Sequence, residues 1–261
     1  MKAPSPSIRR RLILAASGAL LLGASGAVSR GLWSRAHLLG LAASAVFLAP
    51  TLIRNCAWSG EVATRFATRK REVWLTIDDG PDPDDTPEIV EILQHHGSCA
   101  TFFVIGQKVA RWPALARQVA AAGHELQNHT ATHPAHTFWA ATPSRAAREI
   151  AAGSAAILQA IGTKPTLFRA PAGLANPFVH AAAVKAGLSM VGWSASGCDG
   201  LAHDPQTVVA SILRRLHPGA IILLHEGPVA GIARGTRAKT LAAVLRGLRE
   251  RGYRTVIPPA F

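Results

Sequence analysis

The sequence predicts an α/β fold, a distorted (β/α) barrel of about seven strands preceded by a hydrophobic N-terminal membrane segment. Three observations lead there. From Glu72 onward, short β-branched and apolar runs alternate with longer helical patterns, and such alternation implies a parallel sheet covered by helices. The strand runs number seven, which at this chain length favours a closed or nearly closed barrel over an open sheet. Ahead of Arg54 the chain carries apolar stretches long enough to meet a bilayer.

The N-terminal region, residues 1–54, follows "MKAPSPSIRRR" with apolar segments at 12–29 and 36–53, parted by "RGLWSR". At about 1.5 Å rise per residue each would make a helix of roughly 27 Å, just enough to cross a hydrocarbon core. Both are candidate spans. The first is rich in Ala and Gly and ends near "GASGA", which equally suits a signal peptide with a small-residue cleavage site. The second holds His37 and Pro50 and is also compatible with lying in the membrane interface. Arg9, Arg10 and Arg11 favour a cytoplasmic start; two spans would return the chain to the cytoplasm and one would export it. Residues 55–71, with "RFATRKR", read as a basic linker.

Residues 72–261 form the α/β domain. Its strand runs are "VWLTI", "CATFFVI", "HELQNH", "TLFRA", "LSMVGW", "AIILLH" and "YRTVI". The helical patterns between them are "DTPEIVEILQHHG", "WPALARQVAAAG", "PSRAAREIAAGSAAILQAIG", "PFVHAAAVKAG", "PQTVVASILRRLHPG" and "TRAKTLAAVLRGLRERG", most with Pro or Thr near the start and Gly at the stop. In such a barrel the chemistry sits where the strands end and the following loops converge.

Composition narrows the class. A chain of 261 residues at 49% hydrophobic supports one sizeable packed domain plus an appendage and excludes a disordered protein. Cys56, Cys99 and Cys198 are far apart and form no CxxC pair, so neither a disulfide framework nor a cysteine-only zinc site is indicated. The formal charge of +13 comes from basic residues spread along the chain with few aromatics, so no nucleic acid is expected; a membrane surface or an anionic substrate fits at least as well.

The stretch "VWLTIDDGPDPDDTPEIV" places Asp78 and Asp79 where the first strand ends, with Gly80 free to turn and Pro81 stopping the strand. Adjacent acids also serve ordinary turns and helix N-termini. In "GHELQNHTATHP", however, His129 and His133 stand four apart, so one helical turn would bring both imidazoles to one face, ready to share a cation. A carboxylate from the first strand, either Asp, would complete a three-ligand site, leaving its neighbour free as a base.

"TIDDGP", "HTATH", "RAPAG" at 169–173, "WSASGCDG" at 193–200 and "LLH" at 223–225 occur in the order and at the distances of the NodB-homology polysaccharide deacetylases, carbohydrate esterase family four, which the sequence resembles over about residues 72–257. The resemblance implies that Asp78 is the general base and that Asp79, His129 and His133 hold one divalent metal, Zn2+ first, with Co2+, Ni2+ or Mn2+ as alternatives. It further implies that Arg169 holds the base, that His225 is the general acid and Asp199 orients it, and that the Ala172 backbone N–H and Leu223 line the substrate and oxyanion side. Four positions depart from the family pattern: Ala172 for an aromatic, Ser196 for Asp, Gly200 for a Trp that walls the acyl pocket, and Glu226 for a frequent Asp.

The expected function is metal-dependent hydrolysis of N-acyl, chiefly N-acetyl, groups on amino sugars of a polysaccharide, oligosaccharide or lipid-linked glycan. Membrane lipids are the expected partner of residues 12–53, at a bacterial-type inner (cytoplasmic) membrane. The competing expectation is a non-catalytic, membrane-anchored carbohydrate-binding protein on the same scaffold.

Overall fold

Strand β1 (Glu72–Asp78) sets the architecture through its alternation. Val73, Leu75 and Ile77 enter the large apolar cluster beneath the helices, whereas Trp74 points inward to a smaller cluster with Phe66, Phe103, Leu167, Val191 and Ile221. Thr76 and Asp78 continue the inward row, both buried. The inward polar groups are satisfied locally: Trp74 Nε1 donates to Thr101 Oγ1 at 2.8 Å and Thr76 Oγ1 to the Ile222 carbonyl at 2.6 Å.

The structure, a computed structural model, describes residues 6–199, 204–228 and 231–259. After β1 the strands are β2 (Thr101–Val104), β3 (Glu125–Asn128), β4 (Leu167–Phe168), β5 (Ser189–Met190), β6 (Ala195–Ser196), β7 (Ala220–His225) and β8 (Arg254–Thr255). The helices are α1 (Pro6–Ser29), α2 (Trp33–Thr51), α3 (Asp85–His95), α4 (Gly106–Arg111), α5 (Pro113–Ala121), α6 (Pro143–Ile161), α7 (Pro177–Lys185), α8 (Pro205–Arg214) and α9 (Thr236–Glu250). All strand pairs are parallel, in the order β5-β4-β3-β2-β1-β7-β6, with β8 beside the start of β1. The predicted barrel is therefore a curled parallel half-barrel: among the described residues β5 and β6 do not pair with each other.

The gap is bordered by the stretch read as a basic linker. Ala63 N donates to Met190 O at 2.9 Å, Gly192 N to Ala63 O at 2.8 Å, and Phe66 N to Gly219 O at 3.0 Å. Residues 63–66 thus run as a strap between the end of β5 and the start of β7.

Several elements differ from the sequence reading; among them β5 and β8, like β4, are two residues where six and five were expected. The short β6 and α4 were not predicted, since two residues and six residues carry too little periodicity to register. β4 is two residues where five were expected, because the Gln127 side-chain carbonyl takes the N–H groups of Thr166 and Leu167 at 3.0 and 2.9 Å in place of ladder partners. The expected capping is present: Pro opens α5, α6, α7 and α8, Thr142, Asn176 and Asp204 cap α6, α7 and α8, and Gly162 ends α6 with φ 72°.

At the N-terminus α1 and α2 pack as a hairpin. Among the described residues one helix, over Arg11–Ser29, is long and apolar enough to cross a membrane. α2, which covers most of the second candidate segment 36–53, carries Arg35 and His37 in its first turns and ends at Thr51. The hairpin leaves Leu12, Leu22, Leu38, Leu41 and Trp33 exposed and touches the domain through Phe47 against Phe178 of α7 at 5.8 Å between ring centroids.

α4 and α6 approach closely where both carry glycine. A Cβ on Gly153 would stand 2.7 Å from Asn128 Oδ1 and 2.9 Å from the Thr130 carbonyl, and one on Gly106 would stand 2.9 Å from Gly153 Cα. The loop after β3 rests on that glycine seat. Gly153→Val should destabilise the domain by about 1–3 kcal/mol through overpacking, read by denaturant unfolding in detergent. A stability equal to the parent would mean that the loop does not depend on the seat.

Candidate active site

Because the strands are parallel, their C-terminal ends lie together. Asp78 ends β1 in register with His225 at the end of β7, His129 follows β3, and Arg169 follows β4. These four positions, predicted from separate motifs, come together at one rim of the half-barrel.

His129 and His133 converge, with ring centroids 4.7 Å apart, but not on a helical turn as the spacing suggested. The HTATH segment is a loop with left-handed residues at Thr130 (φ 72°) and His133 (φ 53°). Side chains outcompete the helical pattern here: Asn128 Oδ1 accepts Thr130 N–H at 2.7 Å, and Thr130 Oγ1 accepts His133 N–H at 2.9 Å. Glu149 of α6 accepts Ala131 N–H and Thr132 N–H at 3.1 and 2.9 Å, closing the loop from outside.

The donor set fits a cation. His129 Nδ1 lies 2.7 Å from the Arg169 carbonyl, which only accepts, so Nδ1 carries the proton and Nε2 presents a lone pair. Burial, reinforced by neighbouring His133, holds this imidazole neutral, with its pKa pushed down to about 3. Its Nε2 nevertheless stands 3.5 Å from Asp79 Oδ1, and His133 Nε2 stands 3.2 Å from the same oxygen. Asp79 Oδ1 is buried without a hydrogen-bond partner. A lone pair facing an unpartnered carboxylate oxygen is unfavourable unless a positive ion sits between them, and the three ligand atoms all lie within 4.8 Å of one another. Asp79 is itself held in a left-handed conformation (φ 77°), with Lys108 Nζ donating to its carbonyl at 2.7 Å.

Asp78 has a different environment. Its Oδ1 accepts from Arg169 Nη1 at 2.6 Å, and that nitrogen also donates to Thr76 Oγ1 at 2.8 Å. Arg169 Nε and Nη2 donate to the Val191 and Gly192 carbonyls at 3.2 and 2.8 Å, and the guanidinium lies 4.2 Å from the Phe103 ring centroid. Burial raises the Asp78 carboxyl above its ordinary range against the opposing pull of Arg169, which is the setting of a carboxylate able to take a proton.

On the other side of the rim, Asp199 receives His225 Nδ1 at 2.8 Å on one oxygen and His225 N–H at 2.8 Å on the other. Burial alone would deprotonate His225, but Asp199, with Asp78 and Asp79 beyond, outweighs it and carries the imidazole up to about 9. Asp199 is itself raised by burial and drawn below its ordinary range by His225 and Arg237.

Arg237 escaped the sequence reading. It is buried in the first turn of α9, donates to Asp199 Oδ2 at 3.1 Å and to the Gly227 carbonyl at 2.9 Å, and so fixes the acid that holds His225. Glu226 was noted only as a departure. It is buried, accepts from Thr86 Oγ1, and its carboxyl is pushed up to about 8 by burial.

Ala172 lies in the short turn Pro171–Gly173 after Arg169, with φ 56°. Leu223 is buried on β7 two residues before His225 and therefore on the same face of the strand. Gly200, the position of the missing Trp, lies outside the described residues.

Two outcomes follow from this geometry. His129→Ala should abolish stoichiometric divalent-metal binding measured by inductively coupled plasma mass spectrometry; retained stoichiometry would sink the site. The His225 imidazole, followed by NMR, should titrate near 9 and move toward its unperturbed value of about 6.5 in Asp199→Asn. The raised folded-state value means that the pair contributes stability fully below about 6.5 and loses it as pH rises through about 9. An unshifted titration in Asp199→Asn would show that the carboxylate does not hold the proton.

Comparison with known proteins identifies the family. Residues 66–191 match the family model described as polysaccharide deacetylase. A chitooligosaccharide deacetylase of Bradyrhizobium sp. (strain ANU 289) is 38% identical over 192 residues, covering 70% of this chain and 87% of that protein. The crystal structure of a peptidoglycan N-acetylglucosamine deacetylase superposes with a TM-score of 0.69 at 28% identity, over 75% of this chain and 89% of that one. A wild-type family pseudoenzyme from Bacillus anthracis superposes with a TM-score of 0.67 at 26% identity, over 77% and 69%. By this identity and coverage, the chain belongs to the polysaccharide deacetylases of carbohydrate esterase family 4.

Proposed function

We propose that the protein removes N-acetyl groups from N-acetylglucosamine units of a glycan presented at a membrane surface, whether an envelope polysaccharide, an oligosaccharide or a lipid-linked glycan. The observation that carries this reading is the pairing of Asp78 with His225 across one register of β1 and β7, beside the Asp79, His129 and His133 cluster. One of the two is a buried carboxylate that can take a proton, and the other an imidazolium that can give one.

Amide hydrolysis needs three things: a proton acceptor for the attacking water, a donor for the departing amine, and stabilisation of charge on the acyl oxygen. Asp78, held by Arg169, takes the water proton. His225, kept protonated by Asp199, delivers a proton to the amine nitrogen. The Ala172 backbone N–H donates to the developing oxyanion, and Leu223 lines the acyl side. A divalent ion held by Asp79, His129 and His133, zinc by this donor set with cobalt, nickel or manganese as alternatives, would supply Lewis-acid polarisation of the carbonyl and of water.

The membrane part of the proposal rests on the hairpin. α1 has the length and apolarity of a span, the exposed leucines of both helices offer lipid-facing area, and residues 12–53 are the segment that would meet lipid of an inner membrane. The hairpin also enters the domain at the catalytic rim, where Asn55 N donates to Gly173 O at 2.8 Å. An active site next to its own anchor suits a substrate lying against, or carried by, the bilayer.

The test is mass spectrometry of chitooligosaccharides, peptidoglycan fragments and lipid-linked amino-sugar glycans after incubation with the full chain in detergent, with and without divalent metal. Acetyl loss that depends on metal supports the proposal. Binding of the glycans with no acetyl loss under any metal would instead support a non-catalytic carbohydrate-binding protein. Asp78→Asn should keep the metal and lose about two to four orders of magnitude in turnover; activity near the parent would reassign the base.

A further inference from the structure

We propose that Asn55, ahead of the family's matched region, is a positioning residue for the deacetylation: it wedges between the turn that carries Ala172 and the segment that holds Arg169, and keeps the two in register. The proposal rests on the oxyanion role given to Ala172 above, and deepens it by naming what holds that turn.

Asn55 makes contacts in both directions. Its N–H donates to the Gly173 carbonyl at 2.8 Å, gripping the Pro171–Gly173 turn, and its Nδ2 donates to the Trp193 carbonyl at 3.1 Å. Next to Trp193, the Gly192 carbonyl accepts from Arg169 Nη2, and Arg169 Nη1 donates in turn to Asp78 Oδ1. One residue, through its backbone N–H on one side and its side chain on the other, therefore ties the candidate oxyanion donor to the clamp on the candidate base.

The space around Asn55 is shaped for it. A Cβ on Gly192 would stand 2.4 Å from Asn55 Oδ1 and 2.6 Å from its Cγ. Gly192 has no left-handed φ that would by itself call for glycine, so the missing side chain there makes room for Asn55. A Cβ on Gly173 would stand 3.1 Å from the same Oδ1 and 2.6 Å from the Trp193 ring. Asn55 itself has φ 56°, a left-handed conformation that Asn tolerates better than most residues. The chain that follows is seated as well: a Cβ on Gly60 would meet His180 Nδ1 at 2.3 Å, and Ala63 bonds to Met190 and Gly192.

The turn that Asn55 holds is closed within itself by Gly173 N–H to the Ala170 carbonyl at 2.9 Å and Leu174 N–H to the Pro171 carbonyl at 3.2 Å, and Asn55 fixes it to the segment beyond β5. Ala172 is left-handed at φ 56°, and Gly173 at φ 68°, so the turn is a strained, local structure whose N–H directions depend on what packs on it. A displacement of about 1 Å at such a site can cost on the order of a hundredfold in rate. Because the hydrogen bonds of Asn55 touch backbone and not substrate, its loss should be felt in kcat while leaving KM and the metal alone.

The experiment uses the full chain in detergent, with Asn55→Gly, which keeps the left-handed backbone and removes the wedge, and Asn55→Asp, which keeps the shape and removes the Nδ2 donor. Amide hydrogen exchange over residues 170–174 is measured beside kcat and KM on an N-acetylglucosamine oligosaccharide and metal content. Expected for Asn55→Gly are faster exchange at 170–174, kcat lower by about ten- to a hundredfold, KM within about twofold and unchanged metal stoichiometry, with Asn55→Asp falling between it and the parent. Both variants keep the backbone N–H that bonds Gly173, so exchange as slow as in the parent overturns the holding role of the Asn55 side chain whatever the activity. Faster exchange with unchanged kcat, or with a rise in KM alone, overturns the positioning role. If the parent shows no turnover on any glycan, the function proposed above fails, while the exchange measurement still decides whether Asn55 holds the turn.

Discussion

The active rim depends on one buried guanidinium. Arg169 is 1% exposed, and burying a cation costs several kcal/mol unless its charge and its donors are met. Here they are: Asp78 supplies the counter-charge, Thr76 Oγ1 and the carbonyls of Val191 and Gly192 take the remaining hydrogen bonds, and Phe103 offers a ring face. The partners come from β1, β2 and the segment after β5, so the geometry of one side chain binds together elements far apart in sequence. Its own carbonyl completes the set by receiving His129 Nδ1, which orients Nε2 toward Asp79.

That arrangement explains how neighbouring acids come to differ. Asp78 continues the inward alternation of β1 and ends buried against Arg169; Asp79 leaves the strand with φ 77° and turns its oxygen toward the histidines. A single residue of strand, with its period of two, separates the group that meets a cation of the protein from the group left unpartnered for a cation from outside. Adjacent identical residues acquire separate chemistry because the backbone changes direction between them.

The parts of this rim that were legible in the sequence are those in which residue type, spacing and strand end coincide. Asp78, Asp79, Arg169 and His225 follow short apolar runs and His129 and His133 follow the strand pattern "HELQN", and a parallel sheet brings such strand ends together regardless of loop length. The backbone around them was less legible. The spacing of His129 and His133 suggested a helix, and only the side-chain bonds of Asn128, Thr130 and Glu149, one of them from α6, make it a loop. Arg237 sits in "TRAKT", where an arginine in a helix pattern looks solvent-facing until the packing of α9 on β7 buries it. The two-residue β6 and the six-residue α4 fell below any periodic signal, and the strap through Ala63 and Phe66 looked like linker because its bonds go to distant partners.

The strap also bears on how the barrel tolerates being open. A closed parallel barrel satisfies every strand edge through its neighbours, whereas among the described residues β5 and β6 each keep a side with no partner strand. Ala63 takes up the hydrogen bonds of Met190 and Gly192, and Phe66 those of Gly219 while its ring fills the inner cluster with Trp74 and Ile221. The chain entering from the apolar hairpin therefore covers the exposed edge before it begins β1. The end of the apolar hairpin therefore meets the catalytic rim: Asn55 bonds to Gly173 beyond β4 before the strap runs along the end of β5 to the start of β7.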